Sequence, residues 1–373
     1  MQRYNNLDFL RAFAMLMGLV IHAPMLFWVP DFAKVFGIDN IAPAEEWVNV
    51  IGRFISSWRM PVFFLLSGFF AILVIERKGT SQFLRDRVIR VGLTCLVFSS
   101  LYDISDGSFD YTILHLWFLY ELMIFALFFS LLYRLKIIKD LFCIKMPPKI
   151  GFIVVLWLIS TVPLAYILNN SWHPSALKVP TTYFDLKIGN LFYHFSYFLV
   201  GVILYSNQNI FIKIKKTKAI LVLGVLSISA FFLRLYSDHL TIGQVENLSE
   251  VAQTQFDPML VFFNSVMIGM NSTFWCLFFI GLASKFTQSD SAVIRWLVEL
   301  SYPIYIIHLI PVAMMSAVFY HAGLSQLTIL PLAVITGFFV CVILYYIFIK
   351  FTPLNWLING YSKSSLKIKF LGV

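Results

Sequence analysis

Apolar residues in this chain come in long, nearly charge-free runs, not in the alternation of a strand or the single stripe of a surface helix. About 20 such residues are what roughly 30 Å of hydrocarbon demands of a helix. Read between turn and charge signals, the runs predict helices near residues 7–29, 47–76, 88–102, 112–134, 150–168, 190–208, 218–236, 259–284, 294–318 and 327–350. The third run is short; the second is long and holds Pro61, which predicts a kink or a tilted entry. The expectation is an all-α integral membrane protein of about ten transmembrane helices, a single domain over residues 1–373 without internal repeats.

Composition sharpens this picture. Of 373 residues, 60% are apolar and 13% charged, more apolar surface than one soluble core can take up. A net charge of +9 would suit nucleic acid if Lys and Arg shared one soluble face. They lie instead in short connections, so membrane lipid and not nucleic acid is the expected partner. Arg3, then Arg77 to Arg90, then Arg134 to Lys149 (including Lys139 and Lys145), then Lys213 to Lys218, and finally Lys363, Lys367 and Lys369 occupy one set of connections. The opposite set holds only Lys34, Lys178 and Lys187. By the positive-inside rule both termini are cytoplasmic, N-in and C-in, in a multi-pass protein of a bacterial inner membrane. The first apolar run carries Arg11 and no small-residue cleavage site, so it is expected to remain as a helix.

Cys95, Cys276 and Cys341 fall inside apolar runs and Cys143 in a basic connection, which predicts neither a disulfide nor a metal cluster. The outer connections carry acids, including Asp103, Glu246 and Glu250, and the aromatics Tyr102, Phe109, Tyr111, Trp172 and His173. These rings could stack on sugars, but interfacial anchoring is the simpler role.

Four arginines, Arg11, Arg53, Arg59 and Arg234, lie inside or at the end of apolar runs. A guanidinium is costly in lipid, so each should face a polar cavity or a partner, although Arg234 is near enough to a helix end to snorkel. Arg11 and His22 are eleven residues apart in the first run. At about 100° and 1.5 Å per residue they share one helix face, about 16 Å apart, with Met15 and Gly18 between them. Glycine there predicts a shallow track along the stripe. A helix-packing imidazole and a snorkelling guanidinium would give the same spacing.

This Arg-x10-His spacing resembles the signature of the membrane acyltransferase 3 family, which acylates extracytoplasmic carbohydrates. Other segments agree in order: Trp58-Arg59-Met60-Pro61-Val62-Phe63-Phe64 resembles the family's second helix. Phe83-Leu84-Arg85-Asp86-Arg87-Val88-Ile89-Arg90 is similar to its basic cytoplasmic loop, and Ser301-Tyr302-Pro303-Ile304-Tyr305-Ile306-Ile307-His308 to its penultimate helix. His115-Leu116-Trp117-Phe118-Leu119 looks most like the subgroup that succinylates osmoregulated periplasmic glucans, the glucan biosynthesis protein C type. One departure stands out. Many members carry a glutamate seven residues after that histidine, where this chain has Leu122; Glu121 lies one residue early and about 100° around the helix.

The resemblance implies an O-acyltransferase that takes succinyl-CoA, or acetyl-CoA, from the cytoplasm and acylates a periplasmic glucan. His22 is the expected general base, with Arg59 and His308 beside it. Arg11, Arg87, Arg90 and Arg85 are the expected coenzyme A ligands, because guanidinium suits phosphate. His115, Glu121, Trp117 and Tyr305 are the expected acceptor contacts, and no metal is expected. A carbohydrate exporter or flippase is the alternative class, and homo-oligomerisation stays open.

Overall fold

The computed structural model describes residues 4–107, 110–137, 147–242, 255–286 and 291–360. Arg3, Phe109, Lys139, Cys143, Lys145, Glu246, Glu250, Lys363, Lys367 and Lys369 therefore lie outside the described residues.

Each predicted apolar run holds a helix. The first run forms α1 (Asn5–His22), followed by two short pieces, α2 (Met25–Trp28) and α3 (Pro30–Lys34). Next comes α4 (Glu46–Lys78), which runs unbroken through Pro61. Gly79, at φ 82°, turns the chain into α5 (Thr80–Arg87). The short third run begins as a π-helical turn, Val88–Leu93, and continues as α6 (Thr94–Asp106). A 3-10 turn, Leu114–Leu116, leads into α7 (Trp117–Arg134). Then follow α8 (Pro148–Leu168), α9 (Ile188–Ser206), the short α10 (Asn209–Ile214), α11 (Thr217–Ile242) and α12 (Pro258–Phe286). The chain closes with α13 (Ala292–Ile307), α14 (Leu309–His321), α15 (Gln326–Leu344) and α16 (Leu354–Ile358).

Among the described residues, seven helices are long and apolar enough to cross a membrane, or eight if a bent pair counts as one span. The protein is thus an all-helical, multi-pass membrane protein. The polar α1, with Asn5, Asn6, Asp8, Arg11 and His22, and the 13-residue α6 fall outside that set of seven. The bent pair corrects the expectation of one helix over 294–318: α13 and α14 meet at 75° across His308. Pro311 accounts for the break, because its ring excludes the carbonyl of Ile307 from helical geometry and it has no N–H to donate back.

Burial sorts the helices. The most apolar stretch of α4 is 94% buried within the protein, whereas that of α11 is 17% buried and faces outward. Protein surrounds this stretch of α4, so the helix can carry a polar side chain inward. Its tightest neighbour is α9. A Cβ on Gly68 would lie 1.9 Å from the Phe198 carbonyl oxygen, and one on Gly201 1.8 Å from that of Leu65, so both glycines are required for backbone-to-backbone contact. α1 packs against α4, α12 and α13 and therefore sits inside the bundle.

Candidate active site

The site is built where α1 ends, α7 begins and α13 breaks. His22 is the last residue of α1, His115 lies in the 3-10 turn before α7, and His308 occupies the break between α13 and α14. Their rings converge: His22 to His308 is 5.1 Å between centroids, His115 to His308 5.2 Å and His22 to His115 6.0 Å. His308 is fully buried, His115 buried and His22 half-buried. Arg59, from the protein-enclosed α4, completes the cluster at 8% exposure.

Backbone carbonyls fix two of the three imidazoles. His308 Nδ1–H donates to the Tyr305 carbonyl at 2.7 Å, which leaves Nε2 as a lone-pair acceptor with no partner. His115 Nε2–H donates to the Ile306 carbonyl at 3.1 Å, leaving Nδ1 in the same state. The Tyr305 hydroxyl donates to the His115 carbonyl. Among the described residues no hydrogen bond holds His22, and no carboxylate lies within ion-pair distance of Arg59, whose Nε is buried without a partner. Buried polar atoms are ordinarily bonded, so one guanidinium nitrogen and two imidazole acceptors left open together set this cluster apart from a packed core and make it the candidate site.

The glycine on the stripe has a role different from the expected one. A Cβ at Gly18 would lie 2.9 Å from His308 Nε2 and 3.1 Å from Arg59 Nη1. The space over Gly18 is therefore filled by His308 and Arg59 and is not an open track; glycine is what lets them close onto the backbone of α1. Tyr102 is a second correction. Expected among the interfacial aromatics, it turns inward, with its hydroxyl 3.4 Å from the Ile306 carbonyl and its ring 5.7 Å from His115.

A second charged group lies at the other end of the α1 stripe. Arg11 pairs with Asp8 at 3.1 Å and stands 4.8 Å over Phe70. Arg87 stands 5.2 Å over Phe83, and burial beside Arg90 and Arg11 pushes it down to about 10, so it stays cationic at neutral pH. Arg90 Nε donates to the Ile358 carbonyl at 3.2 Å, and the Tyr302 hydroxyl donates to the Arg90 carbonyl. α13 thus touches both groups, through Tyr302 at one and Tyr305 at the other. Arg85 is exposed and stands apart from this group's contacts.

The remaining candidates fall elsewhere. Glu121, fully buried, bonds His194 Nδ1 at 2.6 Å, and Trp117 stacks on the same ring at 5.5 Å. These two are therefore not among the side chains that meet at His22. His194 escaped the sequence reading, although an ionisable side chain inside an apolar run is itself the signal that could have found it. Arg234 does not snorkel: it turns inward to Asp238 at 3.7 Å, which Arg53 also approaches at 3.8 Å. Cys95, Cys276 and Cys341 are free and buried.

A polar centre of this kind, enclosed by membrane helices, fits an enzyme that works within the bilayer. Residues 4–346 match the acyltransferase domain family, and the chain belongs to it. A segment of 95 residues is 33% identical to Glucans biosynthesis protein C of Escherichia coli strain K12, covering 26% of this chain and 23% of that protein. The protein of the same name from Escherichia coli O1:K1 / APEC is 32% identical over an equal length. The matched segment thus spans about a quarter of these relatives. No solved structure matches the chain.

Proposed function

We propose that the protein transfers an acyl group from cytoplasmic acyl-coenzyme A to a hydroxyl of a periplasmic glucan or similar extracytoplasmic carbohydrate. In this reading it sits in the bacterial inner membrane with the Arg11 end facing the cytoplasm. Arg87, Arg90 and Arg11 hold the donor's phosphates, which guanidinium binds in a fork and which cannot enter the hydrocarbon. The acyl end reaches the three histidines by displacing the contact of Arg59 and His308 over Gly18.

His22 accepts the proton of the carbohydrate hydroxyl as its oxygen attacks the thioester carbon; the C–O bond forms, the C–S bond breaks, and the imidazolium returns the proton to the departing thiolate. Arg59 stabilises the oxygen on which charge develops, or pairs with the free carboxylate of a succinyl group, which favours succinyl-CoA over acetyl-CoA as donor. His308 and His115 offer fixed lone pairs to the acceptor. The observation that carries this reading is Arg59: a buried guanidinium without a carboxylate among the described residues, meeting His308 over Gly18 at one end of a helix whose other end lies among arginines.

Thiol release by the purified protein supplied with succinyl-CoA or acetyl-CoA tests it. Slow hydrolysis without acceptor, lost in His22→Ala, is expected. Intact donor after prolonged incubation would overturn the proposal and return the exporter to the front.

A further inference from the structure

The turn that carries His115 is under strain. Leu114, beside it, has φ 40° and Tyr111 has φ 57°, the left-handed region that side chains with a Cβ avoid. Such conformations persist only where the surroundings over-determine them. One set of restraints is on α13, where Tyr305 and Ile306 bond the carbonyl and ring of His115. The other begins two residues downstream.

Trp117 and Glu121 are four apart on α7 and face the same way. Together they grip one side chain from α9. The His194 ring lies flat against Trp117, 5.5 Å at 26°, and flat against Phe64 of α4 on its other side, 4.6 Å at 27°. Its Nδ1 is 2.6 Å from Glu121 Oε2. The opposite oxygen, Oε1, is buried without a partner, in a residue with no exposed surface. A buried, half-satisfied carboxylate is a costly support for a mere packing contact, and an apolar pair would fill the same space. What it secures is the plane of one ring and, through Trp117, the start of α7.

We propose that His194 is a positioning residue: held by Glu121 and stacked between Phe64 and Trp117, it fixes the first turn of α7 so that His115 stands against His22 and His308. It touches no reacting atom and acts through His115. The catalytic consequence rests on the acyl-transfer reading; the positioning itself does not.

A double-mutant cycle on the full-length protein in detergent tests it, with succinyl-CoA hydrolysis measured per folded molecule. His194→Ala and His115→Ala are each expected to lower kcat about tenfold while the KM for succinyl-CoA changes less than twofold, and the double variant should be no slower than the slower single one. Losses that multiply, or an unchanged kcat in His194→Ala, would overturn the proposal. His194→Phe combined with Glu121→Leu keeps a ring between Phe64 and Trp117 without stranding a carboxylate, and should recover most of the lost rate. If it recovers none while folding normally, the stack is not the restraint.

Hydrogen exchange supplies an arm independent of activity. In His194→Ala the amides of residues 111–118 should lose protection while those of residues 301–304 keep theirs. Unchanged protection at 111–118 would sink the proposal even if hydrolysis is seen. An inactive wild-type protein that still shows the local loss would leave the positioning standing and the acyl-transfer reading refuted.

Discussion

The two ends of the α1 stripe hold similar numbers of ionisable groups and treat them in opposite ways. At the Arg11 end each cation already has company: Asp8 and Phe70 for Arg11, Phe83 for Arg87, the Ile358 carbonyl for Arg90. At the His22 end Arg59 has no counter-ion among the described residues, and His308 and His115 spend one nitrogen each on a backbone carbonyl and keep the other open. The first is a group of cations already held by the protein's own groups. The second is a buried polar cluster whose unfilled hydrogen bonds favour whatever brings donors and negative charge to it. In the proposed reading, binding and chemistry are separated along one helix by about 16 Å.

Substitutions should split along the same line. His22→Ala, with normal membrane insertion, should lower acyl transfer by about 10²–10⁴-fold, the range for a positioned base. Arg59→Met should lower kcat by roughly 10²–10³-fold at nearly constant donor KM, as expected for charge stabilisation in the transition state. At the other end the sign of the split reverses. Arg87→Ala or Arg90→Ala should raise the donor KM about tenfold each, the worth of one charge-assisted hydrogen bond, with kcat little changed. Because Arg87 stays cationic, its contribution to binding should be constant through neutral pH. Gly18→Ala should cost about 1–3 kcal/mol of stability, read as a drop in melting temperature, since the new methyl must push His308 or Arg59 aside. Arg85→Ala, at an exposed position, should change the donor KM by less than about twofold, as for surface substitutions generally.

What the sequence made legible follows the physics of burial. Charge inside an apolar run stands out, so Arg11, Arg59, His22 and His308 could be picked without coordinates. Their convergence could not, because His115 and His308 meet only through the break at Pro311 and a strained turn at Leu114, neither of which alters the apolar pattern. His194 carried the same signal inside its apolar run, but its pairing with Glu121 lay hidden, because the two are distant in the chain and no spacing connects them. Gly18 was noticed, yet whether a glycine opens space or admits a neighbour depends on what packs opposite. The count of spans was blurred for a related reason: α1 is enclosed by other helices, so it need not be as apolar as a helix that meets lipid.

The enclosure of α4 has a consequence for biogenesis. A newly made chain that ends after this helix would present to lipid a surface meant for other helices, with the guanidinium of Arg59 still lacking the histidine that arrives far later in translation. The helix must therefore wait beside a chaperone or the insertion machinery, or enter the bilayer provisionally, until α9 and α12 emerge to cover it. Ribosome-stalled chains truncated before α9 should accordingly be held at the translocon or degraded, while chains that include α9 and α12 should pass that checkpoint.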